Sequence, residues 1–225
     1  MTRHAYQESL ETLRSDVEAM GHLVVDRLDR GLDALERKDA DAAEAVIEGD
    51  SEVNEVYLDL ESDCIDLFAL QQPVASDLRF VAASFKILTD LERIGDLATN
   101  FGRYALAANR QRLPADDAYD VGTDARDLVV DAIDAYATED AAACREIAGR
   151  DDEIDTLCHT AGDRVVRGLI EQQAGADDAW SAERLLDDVS RLLLTIRDIE
   201  RVADHAVNIA ARTLYMTDND PELIY

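Results

Sequence analysis

Basic charge is what this chain has least of. It carries 22 basic residues against 50 acidic ones, for a formal net charge of −28, and Lys38 and Lys86 are its two lysines. Binding to DNA or RNA phosphates needs clustered positive charge, and none is present. An anionic membrane surface repels such a chain for the same reason. Acidity on this scale keeps a surface solvated and self-repelling, and high salt screens that repulsion. The lysine-poor surface resembles those of proteins from salt-rich cytoplasm. Cysteine is limited to Cys64, Cys144 and Cys158. The number is odd and there is no CxxC spacing, which argues against a disulfide framework and for buried thiols in a reducing compartment. The N-terminal residues form no apolar signal core, and no run is long enough to span a bilayer, so the expected location is cytoplasmic. Proline is confined to Pro73, Pro114 and Pro221, and aromatics make up 5%. With good helix formers elsewhere and no strand-like alternation, the fold class is all-α.

The chain repeats itself. Asp90-Leu91-Glu92-Arg93-Ile94-Gly95-Asp96 through Asn100 is echoed 108 residues later by Asp198-Ile199-Glu200-Arg201-Val202-Ala203-Asp204 through Asn208. Residues 39–54 align without gaps on residues 140–155 at an offset of 101, so the second half gains seven residues near 174–180. A fixed order of features with one small insertion is the mark of a tandem repeat. The expected architecture is two tandem antiparallel three-helix bundles, residues 1–113 and 114–225. Six long helices are expected, over 3–37, 39–70, 74–112, 123–137, 140–173 and 179–215. In the first, Leu10, Leu13, Val17, Met20, Val24, Leu28, Leu32 and Leu35 recur at amphipathic spacing. Asp39 is a candidate N-cap, Gln71-Gln72-Pro73 is a break, and residues 116–120 read as the link between halves. The tail over 217–225 reads as polar and frayed. Gly95 and Gly102 read as points of close helix approach.

Chemistry concentrates in the repeated frame. On a helix, Glu92, Asp96 and Asn100 share a face, as do Glu200, Asp204 and Asn208. With 50 acids in 225 residues, a lone acid pair four apart carries no weight; recurrence in register with Arg and Asn does. Oxygen donors also recur on the partner helices, as Asp50 with Asn54 and Asp151 with Asp155. Two such faces set together suit a hard or borderline cation: magnesium, calcium, manganese or iron. The competing reading is structural, with Glu92 and Glu200 paired to Arg93 and Arg201. A ferritin-like di-iron site needs Glu-x-x-His, and none of the four histidines has Glu three positions earlier. His205 reads as packing or surface, on a different face from Asp204, and His159 as outside any metal shell. There is no GxSxG, P-loop or Gly-rich fingerprint, and no nucleophile, base and orienter are tied together, so the chain does not read as an enzyme.

Gln72-Pro73-Val74-Ala75-Ser76-Asp77-Leu78-Arg79, followed by the two acidic frames in order, resembles the PhoU family of phosphate-uptake regulators over nearly the whole chain. The resemblance implies two side-by-side three-helix bundles that bind a divalent or trivalent metal (iron, manganese, magnesium or zinc) through paired E/DxxxD motifs. It implies one site at Asp50, Asn54, Glu92 and Asp96, and a second at Asp151, Asp155, Glu200 and Asp204. Asn54 adds no charge, which weakens the first. It further implies a non-enzymatic negative regulator of phosphate uptake and, indirectly, of the phosphate-responsive transcriptional programme. The partners would be the ATPase subunit of the phosphate ABC transporter and a sensor protein, with homodimerisation open. Asp77 and Arg79 are candidate partner-binding residues. The alternatives are an accessory of another ion transporter or sensor, and a carboxylate metal-binding or iron-storage bundle.

Overall fold

The computed structural model describes residues 3–70, 74–108, 116–173 and 179–224. The expected break at Gln71-Gln72-Pro73, Pro114 and the boundary between 113 and 114 lie outside them. Every regular element among the described residues is a helix: α1 (Arg3–Arg37), α2 (Ala40–Glu48), α3 (Asp50–Leu70), α4 (Ala75–Ala107), α5 (Asp116–Thr138), α6 (Ala141–Gln173) and α7 (Ala179–Asp218).

All eight apolar positions expected to line the first helix are buried on α1. Each contributes roughly 1.5–3 kcal/mol through its removal from water. The sharp turn after α1 places Lys38 at φ 53°, and its repeat counterpart Glu139 sits at φ 56° after α5. Asp39 then caps α2 by accepting from the Asp41 and Ala42 amides. Asp140 caps α6 in the same way, accepting from the Ala142 and Ala143 amides. One turn and one cap are thus built twice from the same residue order.

Five expectations need correction. The helix expected over 74–112 closes at Ala107, where the Ala108 amide bonds back to Tyr104 and Ala105. The helix expected over 39–70 is two, α2 and α3, because α2 closes at Gly49, whose amide bonds back to Ala45 and Ile47. A Cβ at Gly49 would meet the Arg27 guanidinium, which crosses there to reach Glu52. The acidic segment over 116–120 is not a link but the first turns of α5: Ala118, Val121 and Ala125 are buried at helical spacing. The last helix runs to Asp218 rather than Tyr215. The tail is not frayed over 219–224: Arg145 pairs with Asp220 and Glu222, and Leu223 packs against the core.

α1, α4, α7 and α5 form a closed four-helix layer, with α3 resting on α4 and α1, and α6 on α7 and α5. The main core runs through both halves, taking Leu28 from α1, Ile94 from α4, Leu128 from α5, Ile147 from α6 and Ile199 from α7. Close packing depends on small residues. A Cβ at Gly95 would lie 3.0 Å from Val53 Cγ1 of α3, and one at Gly102 would lie 3.0 Å from the Ala43 carbonyl oxygen of α2. α4 and α7 cross antiparallel: Asn100 donates to Asp198 at 3.1 Å, and His205 bonds Asp90 at 2.9 Å. Because α7 is the repeat of α4, these contacts relate the halves by an approximate two-fold axis near Gly95 and Ala203.

Candidate metal centre

The structure brings together the second acid set. Asp151 of α6 feels Asp155, Asp204, Asp152 and Glu200, and burial together with these charges pushes its carboxyl up to about 6. Burial is also the first cause of the raised Glu200 and Asp204 carboxyls, followed in each case by Asp155. Raised carboxyls in a cluster mean uncompensated negative charge. Asp151 Oδ1 is buried without a hydrogen-bond partner. Cys158 lies beneath, its thiol raised to about 12 by burial and then by Glu200, Asp155 and Asp151; it is an inert core thiol. The expected pairing of Glu200 with Arg201 is not made: Arg201 pairs with Asp198, while Arg197 opposes the shift of Glu200 and Arg201 that of Asp204.

The first set is differently built. Glu92 is raised by burial, by Asp96 and by Asp50, while Arg93 opposes the shift. The Arg93 guanidinium stands 3.6 Å from both Glu92 and Asp96. Asp50 accepts from Thr99 Oγ1 at 2.9 Å and from Asn54 Nδ2 at 3.4 Å. Its charge is therefore partly satisfied within the protein, and here the ion-pair reading describes the geometry.

Among the described residues, no three His, Cys, Asp or Glu side chains are gathered tightly enough to hold an ion. Both sets are electrostatic clusters rather than finished coordination shells. The donor chemistry of the second set nevertheless fits a hard cation, with carboxylates only and one buried oxygen unpartnered, while the charges of Arg197 and Arg201 partly oppose the upward shifts of Glu200 and Asp204. The first set fits less well.

His205 is not a bystander. Its Nδ1 bonds Asp90 across the halves, and in protonated form it would oppose the upward shifts of both Glu92 and Asp204, so it stands between the two acid sets. Nothing local signals this, because the partners lie 115 residues apart. His159 pairs with Asp163, at 3.9 Å on the exposed side of α6. Asp77 and Arg79 lie in the first turns of α4, in a cleft of about 380 Å³ shared with Gln7, Arg14, Glu139 and Thr217. Asp77 accepts from Gln7 at 3.4 Å, and Arg79 Nε is buried without a partner.

The fold and these sets define a duplicated helical-bundle protein that presents two carboxylate faces related by internal symmetry. The PhoU domain family matches it twice, over 17–105 and 119–213, and the chain belongs to the PhoU family. It is 33% identical to a Pseudomonas putida protein named phosphate-specific transport system accessory protein PhoU homolog, over 96% of this chain and 83% of that one. In structure it is similar to PhoU from Pseudomonas aeruginosa, with a TM-score of 0.87, 30% identity, and coverage of 96% of this chain and all of that one. It is also similar to the phosphate transport system regulatory protein PhoU from Streptococcus pneumoniae, with a TM-score of 0.84, 26% identity, and coverage of 96% and 98%.

Proposed function

We propose that this chain is a non-enzymatic regulator of phosphate uptake. It acts in the cytoplasm by contact with the ATPase subunit of a phosphate ABC transporter, and through a sensor protein on phosphate-responsive transcription. The reading is supported by full-length similarity to proteins named as phosphate transport accessory and regulatory proteins. No described helix is long and apolar enough to cross a membrane. Asp77 and Arg79, in the cleft where α1, α4 and α7 meet, are the residues we assign to that contact. The test is co-purification of the tagged chain with the transporter ATPase subunit at native ionic strength. Retention that Arg79→Ala weakens supports the reading, and failure to recover the subunit refutes it.

The acid sets are the proposed metal sites, with Asp151, Asp155, Glu200 and Asp204 the stronger and Asp50, Asn54, Glu92 and Asp96 the weaker. A bound ion would supply the positive charge that the raised carboxyls call for. Asp151 offers the unpartnered oxygen, while Asp155, Glu200 and Asp204 close the rim from α6 and α7. The ion is iron, manganese, magnesium or zinc. Elemental mass spectrometry on protein purified without chelator or metal resin checks this. An equivalent of metal lost in Asp151→Ala/Glu200→Ala is the expected result; no metal in the folded wild type sinks the assignment.

A further inference from the structure

The internal repeat supplies its own comparison for a second site. In the first half, Asn100 Nδ2 and the Tyr104 hydroxyl grip one carboxylate oxygen of Asp198, at 3.1 and 2.8 Å. At the repeat offset of 108, their counterparts on α7 are Asn208 and Arg212, and the carboxylate facing them by symmetry is Asp90. Asp90 is bonded instead to His205 Nδ1. Asn208 and Arg212 therefore keep the position of an anion-gripping pair while the chain's own carboxylate is engaged elsewhere. They open into a pocket of about 500 Å³, whose further walls include Arg201 and the tail residues Leu223 and Ile224. Arg212 Nε is buried with no hydrogen-bond partner, which leaves one guanidinium donor uncompensated within the protein.

We propose that Asn208 and Arg212, with Arg201 at the edge, form a binding site for a small oxyanion, a phosphate-type or carboxylate group held by a guanidinium and an amide. A planar guanidinium donates in pairs to such oxygens, and an adjacent amide adds a third direction. Asp151 and Asp204 stand on the same pocket, so an anion there binds best when those carboxylates are neutralised. The site adjoins the second acid set, sharing Asp151 and Asp204 with it, and does not depend on the identity of the transporter partner.

The test is isothermal titration of the full chain with inorganic phosphate and, separately, with acetate and an acidic peptide, each with and without added magnesium. Thermal shift is a second readout of anion binding. Saturable binding in at least one condition is expected, weakened about tenfold by Arg212→Gln and by Asn208→Leu, as losing a charge-assisted contact requires. Arg37→Gln, an exposed change on α1, controls for net charge and leaves affinity unchanged. Preference for phosphate identifies a free tetrahedral oxyanion as the ligand; preference for acetate and the peptide identifies a carboxylate of a bound protein. Melting curves show whether each variant is folded, and Arg212→Lys separates loss of the fork from loss of charge. The proposal is overturned if no anion binds in any condition, or if folded Arg212→Gln and Asn208→Leu bind within twofold of wild type.

Discussion

Replacing Asp151 by Asn should stabilise the metal-free protein at neutral pH. The Asp151 carboxyl is held at about 6 against an ordinary 3.8, by burial and by Asp155, Asp204, Asp152 and Glu200. The folded state therefore binds this proton more tightly than the unfolded state does, and ionising the group opposes folding. The penalty is absent below the ordinary value, grows as pH rises between about 4 and 6, and is complete above that. At 1.36 kcal/mol per decade the ceiling is about 3 kcal/mol. Solvent screening at a half-buried group reduces it to roughly 1–2 kcal/mol. Asn keeps the shape and removes the charge. In chelator, thermal melts should place Asp151→Asn roughly 2–8 °C above wild type at pH 7.5 and level with it at pH 4. Saturating manganese should reverse the order, because the wild type alone then gains the ion's binding energy. An Asn variant no more stable than wild type in chelator at pH 7.5 would refute the claim that this cluster is electrostatically unsatisfied.

Asp198→Ala strands the Asn100 and Tyr104 donors at the crossing of α4 and α7 and should cost about 1–3 kcal/mol in denaturant melts. Gly102→Val drives a side chain toward the Ala43 carbonyl at 3.0 Å and should cost on the order of 1–3 kcal/mol by overpacking, whereas Gly149→Ala, with nothing near it, should not destabilise. With a net charge of −28, the midpoint of thermal unfolding should climb as potassium chloride is raised from millimolar to molar, by screening.

The long helices were legible because burial there follows one period, as the eight apolar positions of α1 show. The acid sets were legible because a repeat places the same residues on the same helix faces twice. What escaped is non-local or compositional. The break at Gly49 has no echo at its counterpart Arg150, which continues α6; Arg27, reaching over from α1, fills the space that a side chain at 49 would take. Acidic composition disguised the start of α5, where Ala118 and Val121 are small parts of a buried stripe. The bond between His205 and Asp90 joins two halves whose relative placement no single helix pattern contains. Asn208 was visible as the end of a repeated frame, yet its freedom appears only when Asn100 is seen gripping Asp198. The tail was read as frayed from its polarity, but those same acids are what Arg145 holds.

The crossing of α4 on α7 joins one surface to its own repeat. Each half presents to the other the face that its copy presents back, with Asn100 gripping Asp198 on one side and His205 engaging Asp90 at the repeat position on the other. A surface complementary to its own copy is what a two-fold homodimer requires. A polypeptide carrying one half alone would therefore be expected to associate in pairs rather than persist as a monomer. The covalent link between the halves fixes as one molecule what would otherwise depend on concentration, and it leaves each copy free to differ: α4 carries Tyr104 where α7 carries Arg212, and Asp198 is held by Asn100 and Tyr104 while Asp90 is held by His205.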